Sequence, residues 1–250
     1  MAEDNFGMEL IPRKIHYCWF GGSSINKKNQ KCMESWKKFC GDYEIVCWDE
    51  SNCDIRKNKY VFEAYKNKKW AFVSDYFRLE ALYNFGGIYL DTDVELTKPL
   101  DAFLDYSGFI GFEDNENIAT CVIGGKKGHI FFDKALSVYE NRCFLTEDGK
   151  LDTTTNVKIL TEMLIENGLI TDGQRQQVLN MEIFPSDFFS PKSLATGKIT
   201  MTENTCAIHL FNATWQTSSQ RVHTKISQII GQRNTDRLKK IIGKNKSGSE

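Results

Sequence analysis

The sequence predicts an α/β fold, in which helices pack against a central sheet. Strand-like apolar runs alternate with helix-like segments along the 250 residues, which is the pattern of such folds. Over 14–48 a strand, a helix and a second strand follow one another as in a βαβ unit. The stretch 86–94 then places a buried strand after a glycine pair, with two aspartates at its end. Ligands bind beyond the carboxyl ends of strands in these sheets, so we expect a binding site there.

Each element follows from its apolar spacing and from the turn residues that bound it. The predicted elements are, in chain order, a strand over 14–20 that stops at a glycine pair, a helix over 26–40, a strand over 43–48, a helix over 70–83, strands over 88–90, 109–112 and 121–125, helices over 129–139 and 156–166, and strands over 181–185 and 207–211. We therefore expect one domain over 1–220 and a separate C-terminal segment over 221–250.

Composition narrows the class of protein. A hydrophobic content of 41% suffices for a large core, and the absence of repeats and low-complexity tracts favours a compact enzyme-like body. No apolar run is long enough to span a bilayer, and the acidic start predicts no signal peptide. The eight cysteines contain no Cys-x-x-Cys pair, which argues against a zinc ribbon and favours reduced thiols in a cytoplasmic protein.

The two aspartates at the end of the 88–90 strand carry the strongest chemical signal. On a strand, residues i and i+2 point to the same side, so Asp91 and Asp93 are expected to face one point. Their repulsion is relieved by a cation, and hard oxygen ligands suit Mg²⁺ or Mn²⁺ holding a substrate's phosphates. The alternative is a solvated turn with two surface aspartates.

Three further side chains are candidates for the same site. Asp75 and Arg78 share one face of the 70–83 helix, as in many surface ion pairs of little energetic worth. Because that helix leads through two glycines into the acidic strand, Arg78 could instead neutralise phosphate while Asp75 holds a sugar hydroxyl. His209 on an apolar strand is either a core histidine or a third metal ligand.

The C-terminal segment is basic. From 221 to 250 there are eight lysine and arginine residues and two acids, a net charge of +6, with isoleucines at roughly helical spacing. A basic amphipathic segment can lie on an anionic membrane surface. A polar helix packed on the domain explains the same pattern.

Four motifs, in order over about residues 11 to 216, carry a resemblance to a known family. They are 11–22 (IPRKIHYCWFGG), 74–78 (SDYFR), 86–93 (GGIYLDTD) and 209–215 (HLFNATW). The chain resembles a bacterial member of glycosyltransferase family 32, whose members carry a sugar-binding Asp-x-Asp motif. It is also similar to capsular polysaccharide and lipopolysaccharide glycosyltransferases, to yeast mannosyltransferases and to the catalytic domains of the large clostridial glucosylating toxins.

The resemblance implies a GT-A fold, a Rossmann-like mixed central sheet flanked by helices. It implies a metal-dependent retaining glycosyltransferase that moves a hexose, galactose or glucose, from a UDP-sugar to a saccharide or lipid-linked acceptor in cell-surface polysaccharide synthesis. We expect no nucleic-acid partner, and a cytoplasmic protein that contacts the inner face of the plasma membrane through its tail.

The resemblance also assigns roles to individual residues. Trp19 matches the aromatic residue that stacks on uracil, and Trp215 matches a loop tryptophan over the donor phosphate. Residues that match positions contacting the donor sugar and ribose are Ser74, Asp75 and Arg78, and other donor-contacting positions are matched by Tyr89 and Asp91. Asp93 matches the direct metal ligand, and His209 matches a late metal ligand. The catalytic group would be Asp91, Asp93 and Arg78, with Mn²⁺ or Mg²⁺ as cofactor. Phe211 departs from the family, since many relatives have tryptophan there.

Two other functions fit part of the sequence. In a phosphatase of the haloacid dehalogenase type, Asp91 would be the nucleophile and Asp93 the acid/base, but the chain has no second acidic pair of the required spacing after position 93. A non-catalytic carbohydrate-binding module would not need a hard-cation pair beside an arginine. Because the sequence places no second carboxylate as a covalent nucleophile, a front-face reaction is favoured over double displacement.

Overall fold

A computed structural model of the chain describes residues 10–212. Its helices are α1 Lys27–Phe39, α2 Lys59–Lys66, α3 Trp70–Phe85, α4 Ile130–Glu140 and α5 Asn156–Glu166. Its strands are β1 Lys14–Cys18, β2 Glu44–Trp48, β3 Gly87–Leu90, β4 Val94–Leu96, β5 Gly108–Phe112, β6 Ile118–Gly125, β7 Gln176–Val178, β8 Met181–Phe184 and β9 Ala207–His209. A short 3₁₀ helix covers Asp101–Phe103.

Within the described residues, seven of these strands form one mixed sheet in the order β2-β1-β3-β6-β5-β8-β7. β1 pairs in parallel with both β2 and β3, whereas β6 runs antiparallel to its neighbours β3 and β5. β5 in turn pairs in parallel with β8. The strands β1, β3, β5 and β8 therefore all run in one direction, and their carboxyl ends lie at one edge of the sheet. The remaining two strands, β4 and β9, pair antiparallel with each other in a small second sheet.

Apolar side chains alternate between the two faces of the sheet. In β3, Tyr89 joins a core cluster that contains residues of α2, α3, α4 and α5. Its neighbours Ile88 and Leu90 join a second cluster on the other side, with Trp36 of α1. This alternation is the two-residue period of a strand buried on both faces. The sheet is thus the middle layer, and the predicted α/β class and GT-A arrangement of a Rossmann-like mixed sheet flanked by helices are confirmed.

The turn from α3 into β3 requires glycine at both positions. Gly86 and Gly87 have φ angles of 63° and 110°, a region that side chains disfavour. A Cβ on Gly87 would also lie 2.7 Å from the carbonyl oxygen of Lys14, and one on Gly86 would lie 2.8 Å from the backbone nitrogen of Lys127. The glycine pair therefore lets α3 turn back closely onto the sheet before β3 begins.

Most of the predicted elements are confirmed, with ends shifted by a few residues. The first strand stops at Cys18 rather than at 20, and the last stops at His209 rather than at 211. The sequence analysis did not predict α2, β4 or β7. The proposed boundary at 220 and the basic segment 221–250 lie outside the described residues, so both stay predictions. No helix among residues 10–212 is long and apolar enough to cross a membrane.

Candidate active site

A cavity of about 500 Å³ opens at the carboxyl edge of β1 and β3. Its walls include most of the residues that the sequence singled out, namely Trp19, Ser74, Asp75, Arg78, Tyr89, Asp91, Asp93 and His209. A residue after β1, a helix above the sheet, the loop after β3 and the end of β9 thus converge on one space. The prediction of a site beyond these strand ends agrees with this geometry.

Arg78 is the centre of the cavity's charged network. Its Nη2 lies 2.9 Å from Asp75 Oδ1 and 3.3 Å from Asp91 Oδ1. Its Nη1 donates to the Thr120 carbonyl at 2.7 Å, and its guanidinium lies over the Tyr89 ring at 4.6 Å from the centroid. The Arg78 side chain is only 5% exposed. The surface interpretation of the Asp75–Arg78 pair is therefore wrong, because the pair lies inside the protein and bridges α3 to the acidic loop.

Burial and charge oppose each other in this network. Burial raises the pKa of Asp75 to about 6 even though Arg78 lowers it, with the nearby Asp91 adding to the rise. For Arg78, burial lowers the pKa, but Asp91 and Asp75 outweigh it and keep the pKa above its usual value. The arginine is thus a permanent cation that is already occupied by two protein carboxylates. Its contacts hold Asp91 and Asp75 in place.

Asp91 and Asp93 do converge, but not by the route the sequence suggested. The expectation that they share one face of a strand is wrong, because β3 ends at Leu90 and the two aspartates lie in a turn closed by the Val94 N–H on the Asp91 carbonyl. The Tyr89 hydroxyl donates to Asp91 Oδ1 at 3.0 Å, the oxygen that Arg78 also contacts. No hydrogen bond to Asp91 Oδ2 occurs within the described range, so that oxygen is free to bind a ligand.

His209 reaches the acidic turn through the small second sheet. In the β4–β9 pair, His209 lies opposite Val94, the residue that follows Asp93. Its Nε2 is 3.4 Å from Asp93 Oδ1. Asp93 is further fixed by the Asn212 N–H, which donates to Oδ2 at 2.7 Å. Pairing of β9 with β4 therefore brings a residue from late in the chain against the acidic pair.

These three residues form a donor set that fits a divalent cation. One ligand atom from each of Asp91, Asp93 and His209 lies within 4.8 Å of the others. Among residues 10–212, the buried Nδ1 of His209 has no hydrogen-bond partner, and a buried polar atom of this kind is explained by a bound ion or water. Burial lowers the pKa of His209, but Cys121 and Asp93 beside the ring outweigh it and raise that pKa above its usual value. Two carboxylates and an imidazole are ligands that a divalent cation accepts.

Two more of the predicted binding residues, Trp19 and Ser74, also line the cavity, and their roles stay predictions. Trp19 is half-buried at the cavity wall and donates from its indole nitrogen to the Ser23 carbonyl at 2.6 Å. Ser74 lines the cavity but its hydroxyl donates to the Trp70 carbonyl in the same helix. Phe211 also lines the cavity, with its ring 4.0 Å from that of His209. Trp215 lies outside the described residues, and its role stays a prediction.

The sequence analysis missed one acidic residue in the cavity. Glu113 follows β5 and lines the cavity with Asp91 and His209. The sequence analysis placed no second carboxylate as a covalent nucleophile, and that expectation stays a prediction. The signal was present in the sequence, because Glu113 stands directly after a buried strand just as Asp91 does. Burial raises the pKa of Glu113, His209 opposes this rise, and the nearby Asp114 and Asp91 add to it, so that the pKa lies above its usual value.

Two asparagines that the sequence analysis did not single out support the acidic turn. Asn29 in α1 donates to the Thr92 hydroxyl at 2.9 Å, and Asn212 donates to the Asn29 side-chain oxygen at 3.2 Å. The residue between the two aspartates is thus tied to α1 and to the segment after β9. These contacts preorganise the turn that carries Asp91 and Asp93.

A comparison with known proteins finds a family model that matches part of the chain. Residues 26–110 match the family model described as glycosyltransferase sugar-binding region containing DXD motif. The match covers about a third of the chain and includes Ser74, Asp75, Arg78 and the acidic pair. It leaves out Trp19, Glu113 and His209, which the structure places in the same cavity.

Curated relatives come from fungi and a virus. The chain is 32% identical over 132 residues to inositol phosphoceramide mannosyltransferase 3 of Schizosaccharomyces pombe, covering 48% of this chain and 35% of that protein. It is 29% identical over 168 residues to an uncharacterised glycosyltransferase of Acanthamoeba polyphaga mimivirus, covering 63% and 66%. It is 27% identical to the mannosyl phosphorylinositol ceramide synthase SUR1 of Saccharomyces cerevisiae, covering 51% and 34%. The chain thus spans about a third of the two yeast proteins, and the likeness to bacterial capsule and lipopolysaccharide enzymes stays a prediction.

Two solved structures align with the chain at low identity. One is the PaToxG glycosyltransferase, with 21% identity, a TM-score of 0.47, and coverage of 63% of this chain and 69% of that one. The other is a glycosyltransferase involved in glycosylation of the major capsid of PBCV-1, with 12% identity, a TM-score of 0.44, and coverage of 85% and 99%.

Proposed function

We propose that this protein is a metal-dependent, retaining glycosyltransferase that moves a hexose from a nucleoside diphosphate sugar to a saccharide acceptor. The observation that carries the proposal is the convergence of Asp91, Asp93 and His209 in the cavity that Trp19 lines. A diphosphate held at the cation would lie between the base and the sugar. The DXD family region over 26–110 and the glycosyltransferase relatives support the same activity.

The chemistry requires help for a poor leaving group. Transfer breaks the bond between the anomeric carbon and a diphosphate oxygen and forms a bond to an acceptor hydroxyl oxygen, whose proton leaves with the nucleoside diphosphate. A divalent cation bound by Asp91, Asp93 and His209 would supply positive charge at the departing oxygens. The protein's own part is to fix these ligands: Arg78 and Tyr89 hold Asp91 Oδ1, and the Asn212 N–H holds Asp93.

Two observations bear on the donor. The match of Trp19 to a uracil-stacking aromatic supports a UDP-sugar carrying galactose or glucose. The names of the two yeast relatives support mannose, since one is a mannosyltransferase and the other a mannosyl phosphorylinositol ceramide synthase. Both are hexoses, so the reaction class is the same. The nucleotide and the configuration of the sugar separate the two candidates.

The test is a screen for donor hydrolysis by the full chain. UDP-glucose, UDP-galactose, UDP-N-acetylglucosamine and GDP-mannose would each be incubated with Mn²⁺, with Mg²⁺ and with EDTA, and release of nucleoside diphosphate would be measured. We expect turnover of one UDP-hexose with Mn²⁺ and none with EDTA. Turnover of GDP-mannose only would move the proposal to a mannosyltransferase. Equal turnover with EDTA would contradict the metal-dependent mechanism.

The acceptor and the location are further parts of the proposal. A lipid-linked saccharide in cell-surface polysaccharide synthesis is supported by the yeast relatives, whose names contain an inositol phosphoceramide or an inositol ceramide. A cytoplasmic protein that meets the membrane through 221–250 is supported by the net charge of +6 in that segment. Sedimentation with anionic liposomes at low and high salt, for the full chain and for a chain ending at 220, tests this contact. Equal binding of both chains would contradict it.

A further inference from the structure

One carboxylate in the cavity has no protein partner. The Glu113 side chain makes no hydrogen bond or ion pair with any of residues 10–212, although its backbone N–H donates to the Asn117 carbonyl at 2.7 Å. Its neighbours in the cavity are differently placed, because Asp75, Asp91 and Asp93 are all held by other side chains or by the backbone. Burial removes water from the Glu113 carboxylate, and the charge of His209 compensates this loss only in part, because the pKa of Glu113 stays raised. Such a group in a cavity is explained by a ligand that supplies hydrogen-bond donors.

Neither the metal nor the donor phosphates would supply a hydrogen-bond donor to the Glu113 carboxylate. Among the described residues, the group that brings ligand atoms within 4.8 Å of one another consists of Asp91, Asp93 and His209, without Glu113. A diphosphate carries negative charge and would repel the Glu113 carboxylate. The cation that acts on Glu113 is His209, which makes no hydrogen bond or ion pair with it among the described residues and already contacts Asp93. Arg78 is held by Asp75 and Asp91. The remaining groups of a glycosyl transfer that can donate a hydrogen bond to Glu113 are sugar hydroxyls.

The order of strands shows which hydroxyls these are. Trp19 follows β1, Asp91 follows β3 and Glu113 follows β5, and these strands run in one direction with the order β1, β3, β6, β5. Neighbouring strands are about 4.8 Å apart, so Glu113 is placed roughly 10 Å from the acidic turn, on the side away from Trp19. A donor with its base at Trp19 and its diphosphate at the acidic turn would direct the sugar, and beyond it the acceptor, toward Glu113.

We propose that Glu113 is the acceptor-binding residue of the transfer, and that its carboxylate accepts a hydrogen bond from a hydroxyl of the incoming saccharide. The inference rests on the proposed function, since it needs a donor held at the acidic turn. It assigns the end of β5 to the acceptor, and the ends of β1 and β3 to the donor. The charge of the carboxylate strengthens such a hydrogen bond and orients the hydroxyl.

The experiment separates the acceptor from the donor. Donor hydrolysis by water and transfer to octyl glucoside, octyl galactoside and octyl mannoside would be measured for the wild type, and the glycoside that is glycosylated would be used for the variants. Glu113→Gln keeps the shape of the side chain and removes its charge, while Glu113→Ala removes both. Glu116→Gln, an exposed residue of the same loop outside the cavity wall, is the matched control. Thermal unfolding of all variants would show whether the fold is kept.

The proposal predicts a split between the two activities. Glu113→Gln should lower kcat/KM for the octyl glycoside by about tenfold, mainly through KM, and Glu113→Ala by more, as expected for a lost hydrogen bond to a charged group. The rate of donor hydrolysis in both Glu113 variants should stay within about twofold of the wild type. Both activities of Glu116→Gln should also stay within about twofold of the wild type. Equal loss of hydrolysis and transfer in Glu113→Gln would overturn the proposal and indicate a donor contact or a covalent nucleophile. Unchanged transfer in both Glu113 variants would also overturn it. Failure of the proposed function is distinct, because the wild type would then hydrolyse no donor.

Discussion

Two arginines in this protein each bridge two aspartates, and they do so in opposite surroundings. Arg78 contacts Asp75 and Asp91 with a side chain that is 5% exposed. Arg13 contacts Asp42 and Asp101 with a side chain that is 51% exposed. The charges and the number of partners are the same, so the difference between the two clusters is burial.

Burial changes what each cluster does. Around Arg13, water solvates every charge, so the ion pairs contribute little. Around Arg78, water is replaced by Tyr89, Thr120 and the helix itself, so each charge depends on the others for stabilisation. The buried cluster therefore fixes the position of Asp91, whereas the exposed ion pairs of Arg13 with Asp42 and Asp101 add little to the stability of the fold. An arginine with two aspartate partners can thus belong to a buried site or to a solvated surface, and burial decides which.

Removing the buried arginine should have the largest effect on stability. Arg78→Met leaves Asp75 and Asp91 as carboxylates in a site that water reaches poorly, which costs about 3–5 kcal/mol for a broken buried pair. We expect the free energy of unfolding, measured by urea denaturation at pH 7, to fall by that amount. Donor hydrolysis should be lost as well, because Asp91 is no longer held.

The loss of stability in Arg78→Met depends on the charge of the two carboxylates, so the same measurement at a lower pH is a control. At pH 5 Asp75, whose pKa is raised to about 6, is largely protonated in the folded protein, so the loss caused by Arg78→Met should be smaller there than at pH 7. An equal loss at both pH values would show that packing of the arginine stem, and not its charge, is what the cluster needs.

His16 is a buried ionisable group whose hydrogen-bond partners among residues 10–212 are both uncharged. His16 is buried in β1, accepts a hydrogen bond from the Trp48 indole at 3.0 Å, and donates to the Gly86 carbonyl at 2.8 Å. Burial lowers its pKa to about 4, against a hydrogen bond to Gly86 that raises it. Below the ordinary pKa of 6.5 the unfolded chain takes up a proton that the folded protein resists, so stability is lost as pH falls from about 6.5 to 4.

The shift of about 2.5 pKa units corresponds to at most about 3 kcal/mol. Unfolding by urea across this pH range, for the wild type and for His16→Gln, isolates the contribution of the ring. We expect the stability of the wild type to fall more steeply toward acid than that of the variant. Parallel curves would indicate that His16 titrates normally and that its burial has no electrostatic consequence.

The smallest effect is expected at the exposed arginine. Arg13→Met removes the same guanidinium from the same number of carboxylates as Arg78→Met does. Because Arg13, Asp42 and Asp101 are all largely solvated, we expect no resolvable change in the urea midpoint and no change in donor hydrolysis. A loss comparable to that of Arg78→Met would contradict the view that burial distinguishes the two clusters.

The sequence predicted the local parts of the site and missed the parts made by distant pairing. The glycine pair before β3 and the spacing of Asp75 and Arg78 are local signals, and both features occur in the structure. The burial of Arg78 depends on Thr120 in β6, and the place of His209 depends on β9 pairing with β4. Propensity contains no information on contacts such as that between Asn212 and Asp93, which are 119 positions apart.

Glu113 could be predicted from the sequence only in part. Its position after a buried strand was visible in the sequence, as it was for Asp91. The order of β1, β3, β6 and β5 was not visible, and only that order places the end of β5 beside the acidic turn. The absence of a partner for the Glu113 carboxylate is likewise a property of the folded chain. A strand-end acid is therefore a candidate from sequence and a site residue only from structure.

The proposed function requires that Asp91, Asp93 and His209 bind a divalent cation together with a nucleoside diphosphate. Binding of Mn²⁺ measured by electron paramagnetic resonance, in the presence and absence of UDP, tests it directly. Asp93→Asn keeps an oxygen to accept the Asn212 N–H but loses the charge of the ligand. Asp114→Asn, an exposed acid outside the cavity wall, is the control. We predict that the wild type and Asp114→Asn bind Mn²⁺ more tightly with UDP, and that Asp93→Asn binds it on the order of tenfold or more weakly. Equal Mn²⁺ affinity in all three proteins would contradict the claim.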